Sequence, residues 1–167
     1  RITPPFSDDE WKDLFAEAIE RSGEETAFVY LQVTRGVAAT RDHQYPVGVK
    51  PTVLVTVTAA PMLERKSVIP YRMVTKVDFR WGKGDIKVIS LIANGLLKNE
   101  ALDEGFDDAI LIRDGLVTES TLSNLFIVKD GIIITPPKSK YLLHGITRKH
   151  IIELARSANL PLEERNI

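Results

Sequence analysis

The sequence has no cysteine in its 167 residues, which excludes disulfides and any thiolate metal site. Its three histidines, His43, His144 and His150, stand at spacings that suit no shared metal ion. An excess of one charge is missing too: 22 Lys and Arg face 23 Asp and Glu, for a net charge of −1. Bulk electrostatics therefore points to neither nucleic acid nor a membrane surface. No apolar run approaches the ~20 residues needed to span a bilayer, and no signal peptide, internal repeat or low-complexity linker is visible. The cytoplasm is the expected location. What is present is 44% hydrophobic and 27% charged, the composition of a folded domain with a core of its own. We expect a single domain over residues 1–167. The start at Arg1 without a methionine and the end at Asn166-Ile167 lead us to expect a piece of a longer polypeptide.

Ser7-Asp8-Asp9-Glu10 has the pattern of a capping box, with Phe6 and Trp11 placed as a hydrophobic staple. Trp11, Leu14, Phe15 and Ile19 follow at helical spacing, and Gly23 suits the stop. Residues 27–34 alternate as a strand, with Val29, Leu31 and Val33 on one face and Tyr30, Gln32 and Thr34 on the other. The polar face suits a pocket wall or a half-solvated strand. Residues 52–59 and 71–77 are expected as two more strands. Apolar positions 89, 92, 93, 96 and 97 predict a helix from just after Lys87 to about Asp103. Short strands are expected at 109–112, 116–118, 125–129 and 132–135, with hairpin turns at Asp114-Gly115 and Asp130-Gly131. A last helix from about Thr147 would bury Ile151, Ile152, Leu154, Ala155 and Ala158. Mostly antiparallel strands with interposed helices predict an α+β domain.

Four places carry chemistry. Lys87 is flanked by Ile86, Val88, Ile89 and Leu91; burial among such residues destabilises an ammonium and makes a lysine a Schiff-base nucleophile. A snorkelling surface lysine fits the same stretch. Glu119 is followed by Ser120, Thr121, Ser123 and Asn124. There a carboxylate either pairs with a protonated ring nitrogen or caps a turn. Gly145-Ile146-Thr147 puts free amides and a hydroxyl at a helix start, which suits an anion, although most helix starts bind none. Arg41-Asp42-His43 lies on a loop after the first strand, where arginine suits bidentate capture of a carboxylate or simply faces water.

Together these stretches resemble the fold-type IV aminotransferases, nearest to the D-amino acid aminotransferases. The resemblance rests on residues 30–36, Arg41 to Pro46, Asp78 to Trp81, Asp85-Ile86-Lys87, Val117-Thr118-Glu119, Ser123 to Phe126 and Gly145 to Arg148, and covers essentially the whole chain. It implies pyridoxal 5′-phosphate as cofactor, bound as an aldimine on Lys87. Glu119 would sit on the pyridine nitrogen, Ile146 and Thr147 at the phosphate, Leu143 against the ring and Arg80 near the cofactor's other edge. Tyr30, Arg41 and His43 would hold the substrate carboxylate, the Arg-x-His pair favouring D-amino acids. The implied reaction is ping-pong transfer of an amino group between a D-amino acid, such as D-alanine, and a 2-keto acid, such as 2-oxoglutarate. A homodimer is implied for the intact protein, with this chain as the large cofactor-binding domain, lacking the N-terminal lobe and the C-terminal end. A branched-chain L-amino acid aminotransferase and an aminodeoxychorismate lyase share the lysine and glutamate, and a non-catalytic binding module of this fold is a further alternative. Two positions depart from close relatives: Ser120 stands where a glycine is usual, and Leu122 where a small polar residue is usual.

Overall fold

The computed structural model describes residues 2–60 and 69–167. The sequence reading takes 1–167 as one domain; backbone contacts gather the chain into two compact units, residues 1–68 and 69–167.

The first unit begins with helix α1 (Asp8–Ser22). The capping box forms as expected: the Ser7 amide donates to Glu10 Oε2 at 2.7 Å, and the Glu10 amide donates to Ser7 Oγ at 3.3 Å. Phe6 meets Trp11 edge-on, centroids 4.9 Å apart, which completes the staple. Gly23 closes the helix in the left-handed conformation. Strands β1 (Ala27–Thr34) and β2 (Thr52–Ala59) then pair antiparallel, Val29 opposite Val57 and Leu31 opposite Val55. Val53, Val55 and Val57 alternate as half-buried positions on β2, whereas Val29 and Leu31 of β1 stay exposed. The expected alternation of faces on β1 holds in this register, but α1 packs chiefly over β2 and leaves the β1 positions more exposed.

The second unit contains β3 (Met73–Val77), α2 (Ile92–Asp103), β4 (Asp108–Arg113), β5 (Leu116–Ser120), β6 (Ile127–Lys129), β7 (Ile132–Thr135), α3 (Ile146–Ser157) and β8 (Leu162–Glu164). Two three-stranded sheets result, β3-β4-β5 and β6-β7-β8. The hairpins β4–β5 and β6–β7 turn as expected: Asp114, Gly115, Asp130 and Gly131 all have positive φ, as the tight primed turn requires. The pairs β3–β4 and β7–β8 are parallel, and each needs the crossover that α2 or α3 supplies. Leu97 and Ala101 of α2 pack on Ala109 and Leu111 of β4, with Val74 and Phe106 at the edge. The α+β class stands as expected.

Three differences from the sequence reading bear on the site. Helix α2 starts at Ile92, not just after Lys87, so Lys87 lies on a loop. Strand β5 runs on to Ser120 and takes Glu119 into the sheet. On α3, Ile152 and Ala155 are buried as expected and Arg148 joins them, but Ile151, Leu154 and Ala158 are exposed. Leu154 lines, with Ile133, Ile151, Ala158 and Leu160, an open apolar groove of about 590 Å³. No helix among the described residues is long and apolar enough to cross a membrane.

Candidate active site

The site is built where β3 ends beside β4 and β5. Asp78 extends the β3–β4 ladder, its amide donating to the Ile112 carbonyl at 2.8 Å. Two-residue periodicity then sends Asp78 and Arg80 inward and leaves Phe79 outside. The Arg80 guanidinium is spent on protein groups. Nε and Nη2 grip the two Asp78 oxygens at 3.0 Å each, Nη1 reaches Glu119 Oε1 at 2.7 Å, and Nη2 also donates to the Tyr141 carbonyl at 3.2 Å. Asp78 accepts further from Thr118 Oγ1 at 2.8 Å and Arg113 Nη2 at 3.1 Å. Two carboxylates and two guanidinium groups thus balance in a buried cluster, the condition under which such charges are tolerated away from water.

Glu119 is 5% exposed on β5. Besides Arg80 it accepts from Asn124 Nδ2 at 2.9 Å and from the Leu143 amide at 3.1 Å, both on Oε2. All three partners are obligate donors, and a carboxylate has about four lone-pair positions. One lone-pair position has no donor among the described residues. Burial pushes the Glu119 carboxyl up, against the pull of Arg80 and the Leu143 amide. Asp78 goes the other way: burial alone would raise it, but bonds from Arg80, Arg113 and Thr118 together hold it down at about 2. The same carboxylates keep Arg80 more firmly protonated than burial alone would allow.

Two loops frame Glu119. After β5, the Ser120 amide donates to the Ser123 carbonyl at 2.8 Å, and the Ser123 amide donates to Ser120 Oγ at 2.9 Å. The Ser120 hydroxyl thus satisfies local backbone, the Thr121 hydroxyl donates to Asp108 Oδ1 at 2.5 Å, and Leu122 is left 73% exposed at the tip. Glu119 itself caps no turn. Before α3, both peptide groups of the half-buried Leu143 are held, its amide by Glu119 and its carbonyl by Asn124 Nδ2 at 2.8 Å. Gly145 is the N-cap of α3 and offers no side chain. The Ile146 and Thr147 amides that follow have no acceptor among the described residues, and both residues are exposed.

Lys87 is exposed and bonds to no other described residue. The apolar setting expected around it is not formed among the described residues, since Ile86, Ile89 and Leu91 are themselves about half exposed or more. Its loop is nevertheless tied to the cluster. The Gly84 amide donates to the Lys140 carbonyl at 2.7 Å, and a Cβ at Gly84 would stand 2.8 Å from the Tyr141 carbonyl, the same oxygen that Arg80 binds. Only glycine allows that approach.

Tyr30, Arg41 and His43 belong to the first unit. The Tyr30 hydroxyl donates to Gln32 Oε1 at 3.0 Å, and Arg41 and His43 are exposed. Asp42 Oδ1 accepts from the His43 amide at 2.6 Å, which shapes the loop between them. The structure adds Asp78, Arg113 and Asn124 to the residues singled out for roles in the sequence. The alternation Asp78-Phe79-Arg80 at a strand end is a signal for the first. Nothing in local spacing marks Arg113. Among the described residues no group of His, Asp and Glu is arranged to hold a metal ion.

Residues 1–167 match in full the family described as amino-transferase class IV. The chain is 36% identical over 162 residues to the D-alanine aminotransferase of Bacillus licheniformis, covering 97% of this chain and 57% of that enzyme. It is 34% identical over 160 residues to the D-alanine aminotransferase of Staphylococcus aureus strain MSSA476, covering 95% and 56%. Among solved structures, the branched-chain amino acid aminotransferase of Escherichia coli superimposes with a TM-score of 0.84 at 22% identity, over 100% of this chain and 57% of that one. At that identity the likeness speaks to the fold alone. The chain spans little more than half the length of these relatives.

Proposed function

The chain belongs to the class IV aminotransferase family, and on that premise we propose that it is the cofactor-binding part of a longer transaminase. The enzyme would use pyridoxal 5′-phosphate to move an amino group between a D-amino acid, such as D-alanine, and a 2-keto acid, such as 2-oxoglutarate. The observation that carries the reading is the buried Glu119 carboxylate, fixed by three donors with one lone pair left over. The donor set fits the cofactor at both ends. Glu119 offers its remaining lone pair to a ring N–H, and the open amides of Ile146 and Thr147 with the Thr147 hydroxyl suit a phosphate.

Bound there, the pyridoxal group supplies an electron sink for the carbanion left when the substrate's α-proton departs. Glu119 holds a proton on the ring nitrogen, and Arg80, clamped by Asp78, keeps that carboxylate in place and charged. Leu143 would pack against the ring. Lys87 Nζ is assigned both the attachment of the cofactor and the carrying of the α-proton. Arg41, with His43 and Tyr30, takes the substrate carboxylate, since a guanidinium matches it bidentately. Identity of 36% to a D-alanine aminotransferase supports D-substrates. The family resemblance supports a cytoplasmic homodimer.

The test is an absorbance spectrum of the full-length protein saturated with pyridoxal phosphate. Loss of the visible cofactor band with D-alanine and not with L-leucine is expected. Loss with L-leucine alone would move the assignment to a branched-chain L-amino acid enzyme.

A further inference from the structure

We propose that Asn124 is a positioning residue that sets the span between the Glu119 carboxylate and the first turn of α3, so that the two ends of one ligand are gripped together. The inference rests on the pyridoxal phosphate reading and says which residue makes that grip cooperative. Asn124 Nδ2 donates to Glu119 Oε2 at 2.9 Å and to the Leu143 carbonyl at 2.8 Å. The same carbonyl accepts from the Gly145 amide at 2.9 Å, and Gly145 is the cap from which the open amides of Ile146 and Thr147 extend. One amide nitrogen therefore ties the ring-nitrogen acceptor to the anion end. The other end of the side chain closes the link: Asn124 Oδ1 occupies the place that a Cβ on Gly145 would take, so the cap is set against this side chain. The Leu143 amide also reaches Glu119, but among the described residues only Asn124 engages both the carboxylate and the carbonyl that leads into α3.

Two contact points held at a fixed span bind one molecule cooperatively, because ordering one end pre-orders the other. Freed from Asn124, each end contributes separately. The experiment compares the dissociation constants of pyridoxal phosphate and of pyridoxal, which lacks the phosphate, by equilibrium dialysis of the full-length protein. In the unaltered protein the phosphate should strengthen binding greatly. In Asn124→Ala that advantage should shrink by about tenfold, the scale of a moderate coupling between sites. Asn124→Asp keeps the shape but replaces the donor with an acceptor, and should lose the same advantage, which provides a second variant if the alanine form folds poorly. Gly145→Ala, whose methyl displaces Asn124 Oδ1, should act alike. If both ligands weaken equally in these variants, Asn124 only steadies Glu119 and the proposal is overturned. If the unaltered protein binds neither ligand, the cofactor reading falls, and this inference with it.

Discussion

The two units of the chain hold their functional groups by opposite means. In the first, no described residue is fully buried, and order comes from local devices: a capping box, an aromatic staple and one pair of strands. Tyr30, Arg41 and His43 stand exposed on this frame. In the second unit every fully buried residue of the described chain is found, including the charges of Asp78, Arg80 and Glu119. A group proposed to catch a soluble substrate gains from being wet and adjustable. A group proposed to hold a ring nitrogen proton gains from being dry and fixed, because burial is what makes its electrostatics strong. The contrast predicts that substitutions among the buried charges at Asp78, Arg80 and Glu119 register as stability, and those at Tyr30, Arg41 and His43 as affinity.

The largest effect should come from Arg80→Met. Removing Arg80 leaves two buried carboxylates, Asp78 and Glu119, facing the single guanidinium of Arg113, at a cost of about 3–5 kcal/mol. Urea unfolding of the full-length protein should show it, and a loss under 1 kcal/mol would break the contrast. Acid comes next. The Asp78 carboxyl is lowered from 3.8 to about 2 in the folded state, so its stabilisation is complete above about pH 4 and drains as pH falls toward 2. The amount is roughly 2–3 kcal/mol. Glu119 is raised, and so favours the folded state more in acid than at neutral pH, opposing Asp78 over part of this range. Asp78→Asn should flatten the acid limb of a stability-against-pH curve, and an unchanged limb would place the acid sensitivity elsewhere. Arg41→Ala should raise the apparent KM for D-alanine by roughly tenfold to hundredfold, the worth of one charge-assisted bond, with no shift in melting temperature. Unchanged kinetics would remove the reason for choosing D-substrates. The smallest effect is Ser7→Ala, about 1 kcal/mol of helix stability, seen as faster amide exchange in α1 and not in β4.

The local features were legible in the sequence. Ser7 to Glu10 and the two Asp-Gly turns have signatures that act over two to four residues, and β1, β2 and β7 follow from short-range patterns. The start of α2 was misplaced because apolar residues keep helical spacing through the loop that carries Lys87. There Gly84 is drawn to Tyr141 by a contact no local pattern encodes. The three-residue strand β8 was missed for the same kind of reason: it exists by parallel pairing with β7 across α3. At the site, the resemblance named Glu119, but its donors stand 39 residues before it at Arg80 and 24 after it at Leu143. Only the fold brings them together. The apolar surroundings read into the Lys87 sequence are not supplied by the described residues.

The most direct measurement is chemical. Full-length protein saturated with pyridoxal phosphate would be reduced with borohydride, digested and mapped by mass spectrometry. The account predicts the reduced cofactor on the peptide carrying Lys87, and on that lysine alone. Modification of a different lysine, such as Lys83, or of none, would contradict it.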